Sequence, residues 1–187
     1  MTIVVACLGD SITEGSPYWD SRRRIGNPMG QWEHWAGIKH RELELRNFGI
    51  WGERTDEIVA RLDEAANGAD VLVVQGGIND IAQGRPVDDA ASNLQTMVER
   101  GVALGLRVVA CDVLPWNNGW PDAEAPIRDL NARIARLGVA VLPFHDTLED
   151  PERPGRMKAE WTHADGDHPS LVGYRRLGEL AFSLPEA

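Results

Sequence analysis

Two hydrophobic periods alternate along this chain, and that alternation limits what it can become more than any other feature. Apolar strand-like runs recur at residues 3–8, 43–48, 70–75, 106–111 and 139–142. The first, Ile3-Val4-Val5-Ala6-Cys7-Leu8, is continuous and predicts a strand buried on both faces. Helical patterns fill the gaps. Trp32 to His40 is one. Thr55 caps a second, with Asp56 and Glu57 in its first turn and Ile58, Leu62 and Ala65 on one face. A third starts at Asp88 or Asp89 and turns Ala91, Leu94, Met97, Val98 and Val102 toward the sheet, and a fourth puts Ile127, Leu130, Ile134 and Leu137 on one stripe. Pro169 fits the first position of a last helix, with Tyr174, Leu177 and Ala181 inward.

Strands and helices in strict alternation predict an α/β fold with a parallel sheet and helices on both faces. Right-handed crossovers narrow the topology, and five strands in one domain spanning residues 1–187 suit the flavodoxin-like order 2-1-3-4-5. Three stretches, 10–28, 112–122 and 144–168, lack a regular pattern, and all three follow strands. They are therefore expected at the carboxyl edge of the sheet, where open α/β sheets bind ligands.

Net charge is -10, which argues against a broad nucleic-acid or anionic-membrane surface. No apolar run approaches membrane-spanning length, and the chain starts directly in strand residues, so a cytoplasmic location is expected. The two cysteines, Cys7 and Cys111, lie in predicted strands and read as small core residues, too few for a disulfide framework.

The first apolar run ends in Gly9-Asp10-Ser11-Ile12-Thr13, which places the Ser11 hydroxyl at the sheet edge, where a base could activate it. The second ends in Asn47-Phe48-Gly49-Ile50-Trp51-Gly52, where Gly52 allows a backbone N–H to approach a ligand. The third ends in Gly76-Gly77-Ile78-Asn79-Asp80, and the Asn79 amide can donate a hydrogen bond. After the last long loop comes Asp165-Gly166-Asp167-His168-Pro169. Residues three apart in a turn can meet, so Asp165 is the better partner for His168 and Asp167 the weaker. A carboxylate on one imidazole nitrogen leaves the other free as a base. A metal site of His163, Asp165, Asp167 and His168 is the rival reading of that segment. Of the other histidines, His34 and His40 read as helix-surface residues, while His145 and His163 are candidates for lining the pocket without a catalytic role. Arg22-Arg23-Arg24 reads first as a solvated charge run and second as a positive rim for an anionic substrate. Trp19, Trp51, Trp116 and Trp161 crowd the loops and are candidates for substrate contact.

These four blocks, in this order and spanning nearly the whole chain, resemble those of the SGNH hydrolases, the GDSL esterase and lipase superfamily. The resemblance implies a flavodoxin-like three-layer sandwich and ester hydrolysis without a metal or cofactor. It implies Ser11 as nucleophile, His168 as base and acid, Asp165 as the residue that orients His168, and an oxyanion hole of the Ser11 and Gly52 N–H groups with the Asn79 side chain. Trp51 departs from the family's common small residue before the glycine, and is expected to narrow the pocket there. The expected partner is a small-molecule ester with a short acyl chain, because no lid is evident. A carbohydrate O-acetylesterase or an acyltransferase would use the same residues. A phosphorelay receiver of the same fold is excluded by the Gly-Gly-Ile-Asn end of the third strand and by Pro143-Phe144-His145 after the fifth. The full residue set argues against a non-catalytic binding module.

Overall fold

The computed structural model describes residues 2–184. The first strand, β1 (Ile3–Gly9), leads into a four-residue helix, α1 (Ser11–Glu14). α2 (Trp32–Lys39) then precedes β2 (Leu43–Gly49), followed by α3 (Thr55–Ala60), α4 (Leu62–Ala66), β3 (Val71–Val74), α5 (Ile78–Ala82) and α6 (Val87–Ala103). The chain closes with β4 (Arg107–Cys111), α7 (Glu124–Ile134), β5 (Ala140–Leu142), α8 (Phe144–Leu148) and α9 (Leu171–Arg176), which runs on into a π-helical turn over Leu177–Ala181.

The sheet order is β2-β1-β3-β4-β5 and all pairings are parallel. This is the expected α/β sandwich. Strand alternation feeds two cores. Ala6, Leu8, Leu72, Val74 and Ala110 face α3, α4, α6 and α7, where Ile58, Leu62, Leu94, Met97, Ile127 and Leu130 are buried. Val5, Cys7, Val73, Val109 and Cys111 face the other way, against Trp32, Phe144, Tyr174, Leu177 and Phe182. Both cysteines are buried and free. Among the described residues, no helix is long and apolar enough to cross a membrane.

Several local expectations are corrected. The helix predicted from Thr55 breaks at Arg61, whose guanidinium is drawn to Glu53 and to the carbonyls of Phe48 and Gly9. Val102 is 57% exposed, since it lies in the last turn of α6 beyond the sheet it was expected to cover. α7 ends at Ile134, so Leu137 packs from the following loop. Pro169 does not open the last helix. It bridges to Thr162 in extended conformation, and Ser170 caps α9 by accepting from the Gly173 N–H at 3.2 Å. The long loops carry structure of their own. A hairpin pairs Trp19–Asp20 with Ile25–Gly26, and another pairs Glu149–Asp150 with Arg153–Met157.

Candidate active site

Ser11 is presented by the tight junction of β1 and α1. Asp10 caps that helix, its Oδ1 accepting from the Ile12 N–H at 2.9 Å. Gln75, at the end of β3, accepts from the Asp10 N–H at 3.2 Å and from Thr13 Oγ1 at 2.9 Å. Asn47 donates to the Thr13 carbonyl. Gly49 is required by close approach, because a Cβ there would lie 2.0 Å from the Glu14 nitrogen. The short helix is thus pinned to the ends of β2 and β3, which fixes Ser11 before any substrate arrives. Asp10 is fully buried, and burial pushes its pKa up to about 6 despite the bond from Ile12.

His168 reaches Ser11 across the sheet edge. Its Nε2 stands 3.1 Å from Ser11 Oγ, and its Nδ1 lies 2.9 Å from Asp165 Oδ2. Asp165 Oδ1 accepts from the N–H groups of Asp167 at 2.9 Å and His168 at 3.1 Å. Burial raises the Asp165 pKa, but the bonds it accepts from His168 and Asp167 outweigh that and hold it at about 2. An ionised carboxylate facing Nδ1 selects the tautomer with its proton there, which leaves the Nε2 lone pair toward the serine.

Asp167 points elsewhere: its Oδ1 accepts from Trp116 Nε1 at 2.6 Å. Of the four residues of the rival metal reading, Asp167 therefore turns away, while His163 and His168 both meet Asp165 Oδ2. His163 lies near the site, as expected, but against Asp165 rather than among the residues that line the Ser11 cleft. Its Nδ1 also lies 2.9 Å from Asp165 Oδ2, and its ring meets Tyr18 edge-on. The H-x-D spacing of His163 and Asp165 was the available signal. His145 is buried beside Glu124 and away from the Ser11 cleft, so it does not line it.

The cleft, of about 360 Å³, is lined by Ser11, Trp51, Gly52, Asn79, Trp116 and His168, among others. Gly52 has a left-handed φ of 79°, and the space where its Cβ would stand is empty. Its N–H and that of Ser11 have no hydrogen-bond partner among the described residues. The Asn79 amide donates one N–H to the Glu53 carbonyl at 2.9 Å, which ties the end of β3 to the Gly52 loop and leaves its second N–H. Two of the four tryptophans border this cleft. Trp19 lies in an adjoining cavity across Trp51. Trp161 is clamped under the Arg176 guanidinium at 3.8 Å and packs on the core, so it is not part of the cleft.

Fold and geometry together describe an α/β protein with a hydrogen-bonded serine–histidine–aspartate series at the carboxyl edge of its sheet. The chain belongs to the GDSL-like lipase/acylhydrolase family, whose model matches residues 7–176. No curated protein sequence matches it. Among solved structures it is similar to a member of the lipolytic protein G-D-S-L family from Veillonella parvula (20% identity, 95% of this chain and 94% of that one, TM-score 0.78). It is also similar to a GDSL-like lipase from Bacteroides thetaiotaomicron (24%, 95% and 84%, 0.74). An acetyl xylan esterase from Geobacillus stearothermophilus matches at 17% identity over 94% and 91% of the two chains, with a TM-score of 0.74. At these identities the likeness is one of fold.

Proposed function

We propose that this protein is a serine esterase that hydrolyses carboxylic esters of short acyl chains through an acyl-Ser11 intermediate. The observation that carries the reading is the unbroken series from Ser11 Oγ through His168 to Asp165, with contacts of 3.1 and 2.9 Å. In the first half-reaction His168 Nε2 takes the Ser11 proton as Oγ attacks the ester carbonyl. Negative charge moves to the former carbonyl oxygen, toward the free N–H groups of Ser11 and Gly52 and the second N–H of Asn79. The imidazolium is held by Asp165 and returns its proton to the departing alcohol. Water then repeats the sequence on the acyl-serine and releases the acid.

A second, smaller cavity supports the reading of a short acyl chain. It adjoins the cleft through Ile12, Ile78 and Trp116 and is closed by Val113, Leu114 and Pro115. Its volume is about 10 Å³, room for roughly one water-sized group, which suits an acetyl methyl without rearrangement. An acetyl ester of a carbohydrate fits the same arrangement, with the alcohol outside that cavity.

The test is hydrolysis of chromogenic esters from acetate to palmitate by the wild type and Ser11→Ala, with chelator present. The expected result is activity that survives chelation, is greatest on acetate and is abolished in Ser11→Ala. Faster cleavage of long-chain esters would overturn the assignment of acyl length. Undiminished activity in Ser11→Ala would overturn the mechanism.

A further inference from the structure

Two further cavities lie in succession beside the Ser11 cleft, and their charge points to a substrate class. Trp51 lines the cleft and also a neighbouring cavity of about 260 Å³, formed with Pro17, Trp19 and Arg22. Trp19 and Arg22 in turn line a groove of about 650 Å³ along β2, the edge strand of the sheet, together with Arg24, Arg46 and Arg61. The three cavities are thus neighbours: Trp51 borders the first two, Trp19 and Arg22 border the last two, and the groove carries four arginines.

Two of those arginines are already engaged. Arg46 pairs with Glu44 at 2.8 Å, and Arg61 with Glu53 at 2.6 Å. Among the described residues, Arg22 and Arg24 have neither a hydrogen bond nor an ion pair through their guanidinium groups. Arg24 also sits in the left-handed backbone region, at φ 55°, which is uncommon outside glycine. Two of the carboxylates that line these cavities are engaged by groups other than Arg22 and Arg24. Glu14 is turned to Ser16 Oγ and to the N–H and Oγ of Ser21. Asp20 accepts from the Arg23 N–H and faces the Arg23 guanidinium at 3.7 Å. Glu64 is the acidic side chain left among the groove residues. Guanidinium groups without a partner among the described residues, in a groove beyond Trp51 and Trp19 and in a chain of net charge -10, are the recognition chemistry of an oxyanion.

We propose that this groove is a subsite for a terminal phosphate or carboxylate on the alcohol portion of the ester. The inference rests on the esterase reading and adds its substrate class. The small cavity beside Ile12 and Leu114 takes the acyl group, so the alcohol is the part that extends toward Trp51. The aromatic faces of Trp51 and Trp19 cover its middle, and Arg22 and Arg24 close on its charged end.

Matched probes test this: ω-acetoxyhexyl phosphate, ω-acetoxyheptanoate and neutral ω-acetoxyhexanol. The expected wild-type result is a kcat/KM about tenfold higher for an anionic ester than for the neutral one. The preference is carried by KM and shrinks with added salt. In the double variant Arg22→Gln/Arg24→Gln the ratio falls to near one, while Arg23→Gln, whose partner is Asp20, retains it. A gain for both anions assigns the groove to oxyanions in general, and a gain for one names that anion. A wild-type ratio near one, or a preference that survives the double variant, overturns the proposal. Calorimetric binding of ω-acetoxyhexyl phosphate to Ser11→Ala separates the two readings. Arginine-dependent binding without hydrolysis of any probe by the wild type would leave the subsite standing and remove the esterase. Hydrolysis of ω-acetoxyhexanol without such binding would do the reverse.

Discussion

Replacing Asp165 by asparagine isolates the orienting role proposed for its carboxylate. The carboxylate makes two kinds of contact. Oδ1 accepts from two backbone N–H groups, and Oδ2 faces Nδ1 of both His163 and His168 at 2.9 Å. An asparagine that keeps the Oδ1 contacts must aim its NH2 at the two imidazoles. His168 then becomes the acceptor at Nδ1, carries its proton on Nε2, and cannot take one from Ser11. Reversing the tautomer in this way typically costs about 10⁴-fold in kcat, or about 5.5 kcal/mol of barrier. The fold should lose much less. A carboxyl moved from 3.8 to about 2 stabilises the native state by at most about 2.5 kcal/mol, at about 1.4 kcal/mol per unit. With the side chain 30% exposed, solvent screening reduces this to about 1 kcal/mol. That stability is present above pH 3.8 and is lost as pH falls toward 2. The assay is steady-state hydrolysis of 4-nitrophenyl acetate beside a thermal melt, with Asp167→Asn in parallel. Asp167→Asn can still accept from Trp116 and should stay close to wild type. If Asp165→Asn remained within tenfold of wild type while Asp167→Asn lost activity, the assignment of the orienting carboxylate would be wrong.

Three further outcomes follow from the same geometry. Asn79→Ala removes one proposed oxyanion donor and should lower kcat by about 10²- to 10³-fold, read on 4-nitrophenyl acetate with a melt as control; unchanged turnover in a folded variant removes Asn79 from the mechanism. Leu114→Ala opens the small acyl cavity and should move the chain-length optimum above acetate, with about 2–5 kcal/mol lost in stability; an unmoved profile would place the acyl group elsewhere. Burial pushes Asp112 up to about 7, against the bond it accepts from the His145 N–H at 2.6 Å, so the folded state binds its proton more tightly than the unfolded one. Its stabilising contribution is therefore present below pH 3.8 and lost as pH rises to 7; at about 1.4 kcal/mol per unit this is on the order of 4 kcal/mol, and Asp112→Asn should melt higher than wild type at pH 8 but not at pH 4.

The sheet was legible because each strand is rich in apolar residues, a pattern that burial in a parallel sheet imposes locally. The approach of Ser11 to His168 was legible for a related reason: the carboxyl ends of parallel strands share one edge. Contacts that local spacing does not encode were not legible. The break at Arg61 depends on Glu53 and on carbonyls of two other strands. Trp161 looked like a loop aromatic free for substrate, yet Arg176 of α9 covers it. Trp19 sat in the right loop, but its hairpin with Ile25–Gly26 carries it beyond Trp51. The choice of Asp165 over Asp167 followed from turn geometry, whereas the sharing of its Oδ2 with His163 depends on the extended bridge at Pro169, a long-range feature.

The central claim is that Ser11 is the nucleophile, and an organophosphorus fluoride addresses it directly. The account predicts one phosphorus adduct per chain, mapped by peptide mass to the segment holding Ser11, forming at the same rate as esterase activity disappears and absent in Ser11→Ala. Inactivation with the adduct on another residue, or an adduct on Ser11 that leaves activity intact, would contradict it.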